Sequence, residues 1–179
     1  MSPEQLEQGL VSVFTGDGKG KTSAAIGIAT RASGHGFKVF IAFFMKGDNY
    51  IHGEKTALAS FPNVTMKSFG REGWVDKNNI QPEDKEQAKK GFTAARDAMR
   101  SGKYDVIVLD EINIAVNFGL IEANDVIKLI DEKPENIELI LTGRNADAKI
   151  IQAADMVTEM LMIKHPYNNG VQARRGIDY

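Results

Sequence analysis

Short, mainly apolar runs alternate with helix-patterned stretches along the whole chain. The runs at Leu10–Phe14, Lys38–Met45, Val64–Phe69, Asp105–Leu109, Ile137–Leu141 and Met156–Ile163 predict strands. Lys38–Met45, KVFIAFFM, is apolar at almost every position, which predicts a strand covered on both faces. Helices are predicted from about Lys21 to Ser33 with an end at Gly34, over Gly53–Ser60, near Asn124–Glu132 and near Asp147–Ala154. The helix with the clearest boundaries begins at Pro82, whose fixed φ suits a first turn, and Glu83 and Asp84 complement its positive end. Gly102 can close it, and Ala88, Phe92, Ala95 and Met99 form its apolar stripe at spacings of four, three and four. Strand and helix in strict alternation predict an α/β fold, with a mainly parallel central sheet and helices on both faces.

Composition narrows this picture modestly. A length of 179 residues predicts one domain over 1–179, and no internal repeat, linker or low-complexity segment divides it. A formal charge of −2 argues against a nucleic-acid partner recruited by bulk electrostatics. With no cysteine, disulfides, thiolate metal sites and cysteine nucleophiles are excluded. The polar, acidic start is unlike a signal peptide and no apolar run reaches membrane length, so no membrane partner and a cytoplasmic location are expected.

The chemistry concentrates at Thr15–Ser23, TGDGKGKTS, between the first strand and the first helix. The phosphate-loop pattern is G-x-x-x-x-G-K-[ST], and Thr15 stands in place of its first glycine. Gly16, Gly18 and Gly20 let backbone N–H groups converge on anionic oxygens, and the following helix adds its positive end. Asp17 and Ser23 lie within the same cradle. Lys21 is the expected phosphate cation, Lys19 a second positive charge, and Thr22 carries the hydroxyl expected on Mg²⁺. DVIVLDE, Asp105–Glu111, places Asp110 and Glu111 at the carboxyl end of a strand, where a parallel sheet carries its ligand site. One of these acids is expected to face the metal, and spacing does not choose between them.

Other groups are ambiguous. Arg144 follows a strand end and fits either a phosphate clamp or a solvent-facing loop residue. Trp74, the sole tryptophan, fits satellite packing or a platform for a flat ligand. His35, His52 and His165 have no ligand partner at metal-binding spacing and read as turn or surface residues. Lys164, Arg174 and Arg175 make a mildly basic tail.

Taken together, Val13–Gly36, Phe43–Gly47, Val106–Asn113, Leu141–Ala146 and the ending Ile163–Tyr179 resemble the cobalamin-pathway ATP:corrinoid (cob(I)alamin) adenosyltransferases over nearly the whole chain. Threonine in the first-glycine position, followed by RASGHG and an ending in GIDY, is the specific part of that likeness. The resemblance implies a RecA-like phosphate-loop fold, homodimers, and a reducing partner such as a flavoprotein. It implies that ATP lies reversed in the loop, that Gly16–Ser23 cradle the triphosphate, and that Thr22 and Glu111 hold Mg²⁺ or Mn²⁺. The acceptor would be cob(I)alamin or cobinamide, whose Co(I) attacks the 5′ carbon of ATP and releases triphosphate. Lys19 and Lys21 would then stabilise the leaving group, with Arg144 assisting and Trp74 matching a corrinoid-side tryptophan. Where an enterobacterial branch has Phe-Thr-Trp, this chain has Glu72-Gly73-Trp74, and nine residues before the first strand predict a short or missing lid. From the motifs alone, a phosphate-loop ATPase or small-molecule kinase, or a nucleotide-sensing module without turnover, remains an alternative.

Overall fold

The computed structural model describes residues 6–47 and 53–179. His52 and the first five of the nine residues ahead of the first strand, on which the reading of a short or missing lid rests, lie outside the described residues. Among the described residues, the strands are β1 (Val11–Thr15), β2 (Val39–Phe44), β3 (Val64–Phe69), β4 (Val106–Asp110), β5 (Glu138–Thr142) and β6 (Met156–Glu159). They form one sheet in the order β3-β2-β4-β5-β1-β6, parallel at every pairing. The intervening helices are α1 (Lys21–Gly34), α2 (Gly53–Leu58), α3 (Pro82–Arg100), α4 (Ile112–Asn117), α5 (Ala123–Asp131) and α6 (Ala148–Ala153).

Side-chain alternation on the central strands explains the two-sided core. Val39, Ile41 and Phe43 of β2 pack with Val106, Val108 and Ile140 beneath Ala25 and Ala29 of α1. Phe40, Ala42 and Phe44 project to the opposite face, with Ile107, Leu109, Leu139 and Leu141, under α3, α5 and α6. Every residue of β2 and β4 is buried, so the unbroken apolar run of β2 reflects burial on both faces. The stripe read along α3 is the buried one, with Ala88, Phe92, Ala95 and Met99 all in the core. Asp84 accepts from Gln81 N at 2.9 Å and starts that helix, and Gly102 adopts φ 65° just past its end.

Two expectations need correction. The acids of DVIVLDE are followed at once by α4, which the sequence pattern did not indicate because INIAVN is mostly apolar and Glu111 before it supplies no side-chain cap. The last strand was expected to reach Ile163 but ends at Glu159. Beyond that point the chain leaves the sheet and crosses the loop after β1, where Met160 O accepts from Gly18 N at 2.7 Å. Backbone groups committed to that loop are lost to strand pairing.

Candidate active site

Strand order brings the two motifs to one edge. β5 lies between β1 and β4, so the loop after β1 and the acids after β4 are held together across a single strand. In the loop, Gly16 has φ 89°, a conformation that costs a side-chain residue strain. A Cβ on Gly18 would meet Met160 O and Leu161 O at 2.7 Å, so the crossing chain also requires glycine there. Lys21 is buried, and its Nζ donates to Gly16 O and Gly18 O, at 2.7 Å each. Burial lowers the Lys21 pKa below the ordinary lysine value, while the Glu111 carboxylate pulls it back up.

Asp110 is the hub of the acidic side and has no exposed surface. Its Oδ1 accepts from Thr22 Oγ1 at 2.8 Å and from Thr142 Oγ1 at 2.7 Å. Its Oδ2 accepts from Lys46 Nζ at 2.6 Å, an ion pair in which Lys46 is only 16 % exposed. Burial disfavours the Lys46 ammonium, but the Asp110 charge and hydrogen bond leave its pKa above the ordinary value. Glu111 turns sharply away from the strand at φ 65°, an uncommon conformation for a residue with a side chain. Its N–H donates to Thr142 Oγ1 at 2.9 Å, while its buried Oε2 has no hydrogen-bond partner. Burial and the neighbouring Asp110 charge raise the Glu111 pKa, against the pull of Lys46, Lys21 and Arg144.

Thr15 joins the glycine loop to the segment carrying Arg144. It is nearly buried, and its Oγ1 accepts from Ala146 N at 3.2 Å. Asn113 braces the same segment from α4, with Nδ2 donating to Gly143 O at 3.3 Å. Thr15→Val keeps the shape but leaves the Ala146 N–H without its acceptor, and should cost about 1–2 kcal/mol. Thr15→Ser should retain most of the stability; urea denaturation of both variants checks this, and equal loss in both would mean that the methyl group matters instead.

The predicted residues therefore fall into groups. Gly16, Gly18, Gly20, Lys21, Thr22, Asp110 and Glu111 converge. Arg144 is exposed but close enough for its charge to act on Lys21 and Glu111. Asp17 and Ser23 are exposed at the rim of the loop. Lys19 also lies on the rim, ion-paired with Asp178. Trp74 is 80 % exposed on the loop after β3. That loop is anchored by Arg71, which donates to Asp84 Oδ1 at 2.7 Å and to Trp74 O at 2.8 Å. His35 ends α1 at the surface, and His165 Nδ1 accepts from Tyr167 N at 3.2 Å.

Lys46, Thr142 and Asp178 have no individual role in the sequence motifs. Lys46 and Thr142 carry one usable signal, a polar residue at the end of an apolar strand. Asp178 is marked only by its place in the GIDY ending that carries the family likeness.

A buried lysine within a glycine loop, a hydroxyl and two carboxylates can bind a polyphosphate and its divalent cation and stabilise charge leaving on phosphate oxygens. Residues 7–179 match the family model described as "ATP:corrinoid adenosyltransferase BtuR/CobO/CobP". The corrinoid adenosyltransferase of Sinorhizobium sp is 33% identical over 180 residues, covering 100% of this chain and 84% of the relative. That of Pseudomonas aeruginosa is 34% identical over 173 residues, covering 97% and 85%. That of Escherichia coli K12 is 34% identical over 175 residues, covering 98% and 88%.

Proposed function

The chain belongs to the ATP:corrinoid adenosyltransferase family, a family of transferase enzymes, and from that premise we propose how its residues divide the work. ATP donates its 5′-deoxyadenosyl group to the Co(I) centre of a reduced corrinoid. The Co(I) electron pair forms the Co–C bond, the C5′–O bond breaks, and its electron pair departs with inorganic triphosphate. Because this nucleophile carries no proton, the protein needs no activating base. Its tasks are to align the two substrates and to stabilise the leaving group.

Gly16–Ser23 cradle the triphosphate, with Lys21 and Lys19 as its cations and Arg144 closing from the β5 side. The observation that carries this reading is the hydrogen bond from Thr22 to Asp110 at 2.8 Å, which joins the loop to the acid pair. The partnerless, buried Oε2 of Glu111 and the Thr22 hydroxyl offer hard oxygen donors suited to Mg²⁺ or Mn²⁺. Such an ion would be held by Thr22 and Glu111, supplying charge neutralisation to the triphosphate. Asp110 orients Thr22 from behind. Trp74 is assigned to the corrinoid side.

Residues 1–179 are read as one RecA-like adenosyltransferase domain that works as a cytoplasmic homodimer, with a flavoprotein as a fitting reductant. Among the described residues no helix is long and apolar enough to cross a membrane. The test is an anaerobic reaction of ATP with chemically reduced cobalamin or cobinamide, followed by phosphorus NMR and optical spectra. Triphosphate and a light-sensitive alkylcobalt product are expected. ADP and orthophosphate as main products would replace this reading by that of an ATPase or kinase.

A further inference from the structure

The C-terminal tail meets the phosphate loop twice. After β6 it crosses the loop, with Gly18 N donating to Met160 O at 2.7 Å and Met160 N to Thr15 O at 2.9 Å. The last residues then return to it. Asp178, 10 % exposed, places one carboxylate oxygen against Lys19 Nζ. Its other oxygen accepts from Arg174 N at 2.8 Å and from Arg174 Nε at 3.1 Å. Ile177 N and Asp178 N donate back to Arg174 O at 3.2 and 2.8 Å, and Gly176 N donates to Tyr179 O at 2.8 Å. The ending is thus a closed turn in which Arg174 is fixed through both its backbone and its side chain.

One carboxylate therefore holds two cations side by side at the rim of an anion cradle. Without Asp178, the like charges of Lys19 and Arg174, which share this carboxylate, would repel one another. Arg174 uses Nε for Asp178, and among the described residues its two terminal nitrogens make no hydrogen bond. These nitrogens form the fork that recognises phosphate oxygens in bidentate fashion. We propose that the tail is part of the triphosphate site: Arg174 is a further triphosphate-binding residue, and Asp178 is the positioning residue that sets it beside Lys19. This rests on the phosphate-loop assignment above and adds residues to that site.

Calorimetric titration with inorganic triphosphate, ATP and adenosine tests it without any turnover. Arg174→Ala should weaken triphosphate and ATP by about 10- to 100-fold, the worth of a charged hydrogen-bonding pair. Adenosine affinity should stay within about twofold. Arg174→Gln, which keeps most of the side-chain volume, should match the alanine variant, and Arg174→Lys should recover part of the loss because it keeps the charge without the fork. Asp178→Ala should weaken triphosphate by about 10-fold. The inference is overturned if Arg174→Ala binds triphosphate like the wild type, or if Asp178→Ala binds it as tightly or more tightly. An equal loss for adenosine and triphosphate would also overturn it, since that marks a structural defect. Product analysis separates this from the reaction: ADP formation would remove adenosyl transfer and leave Arg174 on the phosphates. Triphosphate formation by the wild type with no Arg174 effect would remove only this inference.

Discussion

Replacing Lys21 by alanine should reduce turnover by about 10²- to 10³-fold or more, the usual cost of removing one preorganised group from developing negative charge. The Lys21 ammonium is buried and lies on the carbonyls of Gly16 and Gly18 at 2.7 Å each. It therefore both shapes the loop and supplies charge where the triphosphate would depart. The chemical step should suffer most, so kcat should fall more than the ATP affinity. Lys21→Met, which keeps much of the stem, separates the two roles. It should remain folded by circular dichroism and remain inactive in the optical assay for alkylcobalt. Wild-type turnover that persists within tenfold in both variants would remove Lys21 from the chemistry. Wild-type turnover that disappears in both excludes a nucleotide sensor without catalysis.

Asp110→Ala should produce the largest loss of stability among the site substitutions, about 3–5 kcal/mol. The substitution leaves the Lys46 ammonium buried without its carboxylate, and leaves the Thr22 and Thr142 hydroxyls without their acceptor. Against a typical domain stability of about 5–15 kcal/mol, that is a large fraction. Asp110→Asn retains one carbonyl acceptor and should cost less, about 1–3 kcal/mol. Adding Lys46→Met to Asp110→Ala should recover part of the loss, because the unpaired charge is then gone. Guanidinium denaturation of the single and double variants measures this coupling. Additive effects of the two substitutions would show that Lys46 and Asp110 are not energetically paired.

Much of the candidate site was legible because a glycine-rich loop is a local object. Its glycines, Lys21 and Thr22 lie within one turn and one helix start, and strand and helix periodicity place that turn at the sheet edge. The acids were legible as a pair, but spacing did not show how differently the two are placed. Asp110 continues β4 and is drawn inward by Thr142, Thr22 and Lys46, whereas Glu111 leaves the strand at φ 65°. Adjacent residues with the same chemistry differ here only through backbone direction, which no spacing encodes. The short helix α4 was not legible for a related reason. Its residues INIAVN are mostly apolar directly after β4, its N-cap Glu111 supplies no side-chain cap, and tertiary packing of Ile112 and Ala115 makes it form.

The sequence by itself determined the layers, because an apolar run such as that of β2 must be covered on both faces and the α3 stripe must face a core. It also determined the glycine-rich turn ahead of α1, since glycine freedom and a helix start are properties of neighbouring residues. Only the tertiary structure decided what those parts touch. Thr15, which departs from the loop pattern, carries a hydroxyl that receives the Ala146 N–H from 131 positions away. Lys46 reaches Asp110 across 64 positions, and Asp178 reaches Lys19 from the far end of the chain. Such pairs depend on strand order and register, which arise when the whole sheet assembles and leave no periodic mark in the chain.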